Sequence, residues 1–226
     1  MFRYLLTGGS DPKEYVLHLL LCLPIILLAL SLHETAHGYV AYRLGDHTAR
    51  NLGRLTLNPA KHLDPIGFLC MLLAGFGWAK PVPINSRNFK KPRRDMALSA
   101  VAGPASNILL AFVFAGLLKI FFLSVQNVVI DSEQTFRILS AIRDFLYYGI
   151  SLNITLAVFN LLPVPPLDGS RVLYVLLPPK YYFGVMKYER YISLAIMFLL
   201  FFGVLSPILS TVTGWIMRLI FLVFAL

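Results

Sequence analysis

The sequence predicts an all-α membrane protein: a polytopic transmembrane helical bundle with a short membrane-associated β hairpin or re-entrant segment. Three observations predict it. Hydrophobic residues make up 58% of the 226 and charged residues only 14%, whereas a soluble domain is about 45–50% apolar and about 25% charged. Apolar runs recur at Tyr15–Leu32, Met96–Val125, Phe145–Leu162 and Tyr191–Leu226, each at or beyond the roughly 18–20 residues that cross a hydrocarbon core about 30 Å thick. The basic residues behind the net charge of +9 also gather in short loops between these runs. One loop set holds Arg43, Arg50, Arg54 and Lys61, a second Lys80, Arg87, Lys90, Lys91, Arg93 and Arg94, and a third Arg171, Lys180, Lys187 and Arg190. The loop Gln126–Asp144 instead sets Arg137 and Arg143 against Asp131, Glu133 and Asp144. Under the positive-inside rule the first three are cytoplasmic and the last external. The basicity therefore reads as topology, with the lipid bilayer and its anionic headgroups as partner and no nucleic acid.

The elements follow in order. Residues 1–14 form a polar entry with Gly8, Gly9 and Pro12. No cleavable signal is apparent, so the first helix is expected to stay in the mature chain. That helix runs from about Tyr15 to Leu44, and glycine, asparagine and proline in "GDHTARNLGRLTLNPAKHLDP", 45–65, break it. Alternation in "GRLTLN" favours a short strand or hairpin at the membrane surface. "IGFLCMLLAGFGWA", 66–79, is too short to span and has basic loops on both sides, which suits re-entry, since non-helical backbone at depth is tolerated where protein covers it. "KPVPINSRNFKKPRR", 80–94, reads as an extended loop. The second span opens with the small residues of "ALSAVAGPASN", which let helices approach closely, and Pro104 bends it or marks its entry. Phe145–Leu162 is the third span. Tyr191–Ser206 and Ile208–Leu226, parted at Pro207, form a closing hairpin or one tilted, broken helix. The whole is one domain over 1–226, with a core at about 15–170, a C-terminal hairpin at about 191–226 and four to six complete spans. Threading the charge rule through it puts the inner ends of the first and third spans on the same face. Cys22 and Cys70 sit in apolar segments outside any CxxC pair, so they read as structural thiols.

The inner end of the first span carries "SLHETAHGYV", 31–40. His33-Glu34-Thr35-Ala36-His37 is HExxH. On a helix, positions i and i+4 share a face, so His33 and His37 can reach one zinc. Zinc lowers the pKa of a coordinated water to about 7, and Glu34 is placed to take its proton as general base. HExxH alone also occurs on soluble surfaces. Directly after eighteen mostly apolar residues, however, ionisable groups are rare and usually functional. A catalytic zinc needs three protein ligands and one open position. Asp168, in "PLDG" after the third span, is the outstanding candidate for the third, with Gly169 permitting the tight turn that would aim it; on spacing alone the Asp-Gly pair reads equally as an ordinary turn capping the helix exit. Asp64 competes from "LDPIG". His18 is interfacial or structural, and His47 and His62 have no second ligand at helical spacing.

"HETAH", "NLLPVPPLDG" and "AGPASN" together resemble the site-2 protease family of intramembrane zinc metalloproteases, specifically its compact bacterial and archaeal branch without PDZ or CBS domains. The likeness spans roughly Leu32–Ser170, with the NxxPxxxxDG spacing intact at Asn160, Pro163, Asp168 and Gly169. It implies a zinc endopeptidase that cuts transmembrane or membrane-proximal helices of membrane-protein or peptide substrates. His33, His37 and Asp168 would hold one Zn2+ per chain, and Glu34 would activate water and shuttle its proton. Asn160 would hold substrate or the developing oxyanion, or serve as a helix–helix hydrogen bond. Asn107 would serve packing. The family also implies a bacterial plasma membrane, with the site towards the cytoplasm. "GRLTLN" and "KPVPIN" are candidate strand edges for the unwound substrate. The competing readings are a catalytically silent zinc-binding homologue and a metal transporter.

Overall fold

A computed structural model describes residues 12–74, 77–128 and 132–226; the expectations for residues 1–11 and for the His18 side chain lie outside what it describes. Helix α1 covers Pro12–Arg43. A single turn, α2, follows at Thr48–Asn51, then α3 at Pro65–Ala74. Helix α4, Pro92–Val125, packs antiparallel on α5, Glu133–Asn160, in the largest interface of the molecule. Beyond it come α6 at Asp168–Leu176, α7 at Pro179–Met186, α8 at Glu189–Phe201 and α9 at Ser206–Phe224.

Helices α1, α4, α5 and α9 share one apolar core. Ile25, Phe114, Leu118, Ile150, Ile154 and Ile220 are buried in it together. Phe114 packs on Gly149, where any Cβ would come within 2.4 Å of its ring, so the α4–α5 approach depends on that glycine. Small residues do the same for α1 and α4, as Ala97, Ser99, Ala100, Gly103 and Ala111 of α4 are all buried. Pro104 lies inside α4 rather than at its entry.

Leu19–Arg43, Pro92–Val125 and Ser206–Phe224 are long and apolar enough to cross a membrane. The expected third span is not among them. Its helix reaches back to Glu133, through what the charge pattern marks as loop, because Ser132 accepts from Thr135 N at 3.1 Å as an N-cap. Within the apolar run Asn153 is fully buried, so that polar residue serves the inward face of the helix. At the C-terminus, the break between α8 and α9 falls at Gly203, with φ +69°. Pro207 instead occupies the first turn of α9, where its missing N–H goes unneeded.

The β hairpin is corrected. Among the described residues there is no strand, only one isolated antiparallel bridge between Leu63 and Ala79. In "GRLTLN" Leu55 packs on α1 against Gly38, whereas Leu57 is exposed. The Thr56 carbonyl already accepts from Thr35 Oγ1 at 2.6 Å and His62 Nε2 at 2.7 Å. In "KPVPIN", Arg54 Nη2 holds the Lys80 carbonyl at 2.8 Å. The segment between them does return to its starting point. The Leu63–Ala79 bridge and a bond from Lys80 N to His62 O at 2.8 Å join its two ends, so it does not cross.

Candidate metal centre

The site forms where α1 nears its end, α4 has just begun and α5 has just finished. His33 and His37 lie one turn apart on the face of α1 turned to α4, each only 6% exposed. Asp168 opens α6, eight residues beyond the end of α5. Its Oδ2 lies 3.2 Å from His33 Nε2 and 3.2 Å from His37 Nε2, while the two Nε2 atoms are 2.9 Å apart. Residues 135 apart in sequence thus bring three ligand atoms to one point.

The far side of each imidazole fixes what faces that point. His33 Nδ1 donates to Asn107 Oδ1 at 3.0 Å, and His37 Nδ1 donates to the Ser99 carbonyl at 2.7 Å. With both Nδ1 positions protonated, the Nε2 atoms present lone pairs. Two nitrogen lone pairs and a carboxylate oxygen then converge in a buried pocket, an arrangement that calls for a cation between them. Two neutral imidazoles and one carboxylate form a ligand set that suits zinc, so the residues present fit the metal. Glu34, half-buried, accepts the Val82 N–H at Oε2 at 2.7 Å.

The other sequence candidates are used elsewhere. Asp64 Oδ1 accepts from Ile66 N at 3.0 Å and Gly67 N at 2.8 Å, so it caps α3. Asn160 Nδ2 donates to Leu156 O of its own helix at 3.0 Å; among the described residues no bond joins it to the cluster or to another helix. His47 bonds the Gly45 carbonyl and His62 that of Thr56. Gly169 has no positive φ. It is required by close approach instead, because a Cβ there would lie 2.2 Å from Leu161 O and 2.4 Å from Leu162 O.

Sequence reasoning missed three contributors. Val82 acts through a backbone N–H, and Ser99 through a carbonyl, so neither side chain could signal its part. Gly103, inside the quoted "AGPASN", was readable, since it lies four residues before Asn107. A Cβ there would come within 2.4 Å of His37 Nε2.

With this geometry in view, the comparisons decide the family. The pattern of Peptidase family M50 matches residues 21–205. The chain belongs to Peptidase family M50. YwhC of Bacillus subtilis is 43% identical over 203 residues, covering 88% of this chain and 90% of its own. Rip2 of Mycolicibacterium smegmatis is 32% identical over 167 residues, 72% of this chain and 59% of its own. MJ0392 of Methanocaldococcus jannaschii is 28% identical over 187 residues, 80% of this chain and 42% of its own. Each carries the words zinc metalloprotease in its name. No solved structure matches the chain. The M50 match covers all of the converging residues, from His33 to Asp168.

Proposed function

We propose that this M50 chain is a zinc-dependent intramembrane endopeptidase, hydrolysing peptide bonds within or near transmembrane helices of membrane-protein substrates. The observation that carries it is the meeting of His33 Nε2, His37 Nε2 and Asp168 Oδ2, with Glu34 next in sequence on α1. Family membership and the names of the relatives support a zinc metalloprotease. The apolar α1, α4 and α9 support a membrane setting for the substrate as well. His33, His37 and Asp168 would hold one zinc ion per chain. Bound zinc supplies Lewis-acid polarisation of the scissile carbonyl and acidifies water. Glu34 has Oε2 held by Val82, which leaves Oε1 to take the proton of the attacking water and return it to the leaving amine. Asn160 gives one amide hydrogen to Leu156, which leaves its second N–H and its Oδ1 for substrate or the developing oxyanion.

The charge pattern supports a plasma-membrane protein with this site towards the cytoplasm. Against ion transport, His33, His37 and Asp168 are the one cluster of three or more metal-ligating side chains among the described residues. Against a silent homologue stands Glu34, which a purely structural metal site does not need. The test is cleavage of a model membrane-helix substrate in detergent, before and after metal removal by a chelator. Activity lost on chelation and restored by zinc is expected; cleavage that persists in the metal-free protein would overturn the proposal.

A further inference from the structure

Ser99, Gly103 and Asn107 follow one another at four-residue intervals along α4, and all three are buried. At that spacing they stack on a single helix face, one per turn, and this face meets His33 and His37. Each position contributes differently. The Ser99 carbonyl takes the His37 Nδ1 proton. Gly103 presents bare backbone to both rings: a Cβ there would lie 2.4 Å from His37 Nε2 and 2.7 Å from His33 Cε1. Asn107 Oδ1 takes the His33 Nδ1 proton. Of the Asn107 amide, the oxygen is the end with a hydrogen-bond partner, and that partner is His33.

We propose that this face of α4 is the outer wall of the metal centre, with Asn107 a positioning residue that fixes the tautomer and ring angle of His33, and Gly103 the spacer that admits both imidazoles. It rests on the metal reading above and gives Asn107 a role beyond packing. Hydrogen-bond partners of this kind hold metal-ligating histidines, and their loss typically lowers metal affinity about 10–100-fold. The serine acts through its backbone, so its side chain is dispensable. The test is zinc affinity by chelator competition on the full chain in detergent, with cobalt(II) absorption as a readout of ligand geometry and thermal melts of the metal-free proteins. Asn107→Leu, similar in size but without an acceptor, is expected to bind zinc about 10–100-fold more weakly. Asn107→Asp restores the acceptor and should recover most of that loss, with a wild-type cobalt spectrum. Ser99→Ala should match wild type. Gly103→Ala should lose zinc although alanine is the better helix former. Wild-type affinity in Asn107→Leu would overturn the proposal, as would equal weakening in the Leu and Asp variants, which is the signature of packing. Because affinity rather than turnover is measured, a wild type that binds zinc but cleaves nothing would sink only the proposed function; a folded wild type without zinc would sink both.

Discussion

Gly169 shows how a single hydrogen atom places a neighbouring side chain. Helix α6 begins by pressing its first turn onto the Leu161 and Leu162 carbonyls at the end of α5, with no room for a Cβ. That contact sets where Asp168 stands. Gly169→Ala must push α6 outward and carry Asp168 Oδ2 away from the histidines, from which it now lies 3.2 Å. We expect at least a tenfold loss of zinc affinity with helical content retained, read by chelator competition and circular dichroism. Wild-type affinity would show that α6 is placed by something else. At this scale much of the centre was legible. HExxH named the two histidines, and the DG pair named the aspartate across 135 positions. What was not legible acts through the main chain, where residue identity leaves no trace: the Val82 N–H on Glu34 and the Ser99 carbonyl on His37.

Among the elements, the segment from Lys80 to Asn88 lies over the end of α1, anchored at Asp46. This fully buried carboxylate accepts from Asn85 N at 2.7 Å, Asn88 Nδ2 at 2.8 Å and Thr48 N at 3.1 Å. Burial alone would raise its pKa, but the hydrogen bonds from Thr48, Asn88 and Asn85 outweigh it and hold the group below its ordinary value. A depressed folded pKa stabilises above the unfolded value of about 3.9, and that contribution is lost as pH falls through the folded pKa. Asp46→Asn is therefore expected to cost about 1–3 kcal/mol at neutral pH and to flatten the acid limb of a Tm-against-pH curve. An unchanged curve would remove Asp46 as the anchor. The long helices were legible from apolar length. The β hairpin misled because alternation alone does not make a ladder. In "GRLTLN" Leu55 packs on α1 while Leu57 is exposed, and the Thr56 carbonyl that a ladder would use is taken by Thr35 and His62. The start of α5 was missed for a different reason, as a capped helix can extend beyond its apolar run.

For the whole molecule, the outer surface fits hydrocarbon rather than water. Leu109, Ile120, Leu219, Leu222 and Val223 are all at least 60% exposed on α4 and α9. The charge rule orients that body. In a background without Cys22 and Cys70, a cysteine at Arg87 should be labelled by a membrane-impermeant reagent only from the cytoplasmic side, and one at Asn127 only from the other. The reverse pattern would invert the topology. The central claim concerns chemistry, and Glu34→Gln tests it most directly. Its zinc content and its cleavage of a membrane-helix substrate should be measured beside those of the wild type. The account predicts about one zinc per chain in both proteins, with turnover lost by several orders of magnitude only in the variant. Wild-type turnover in Glu34→Gln would contradict it.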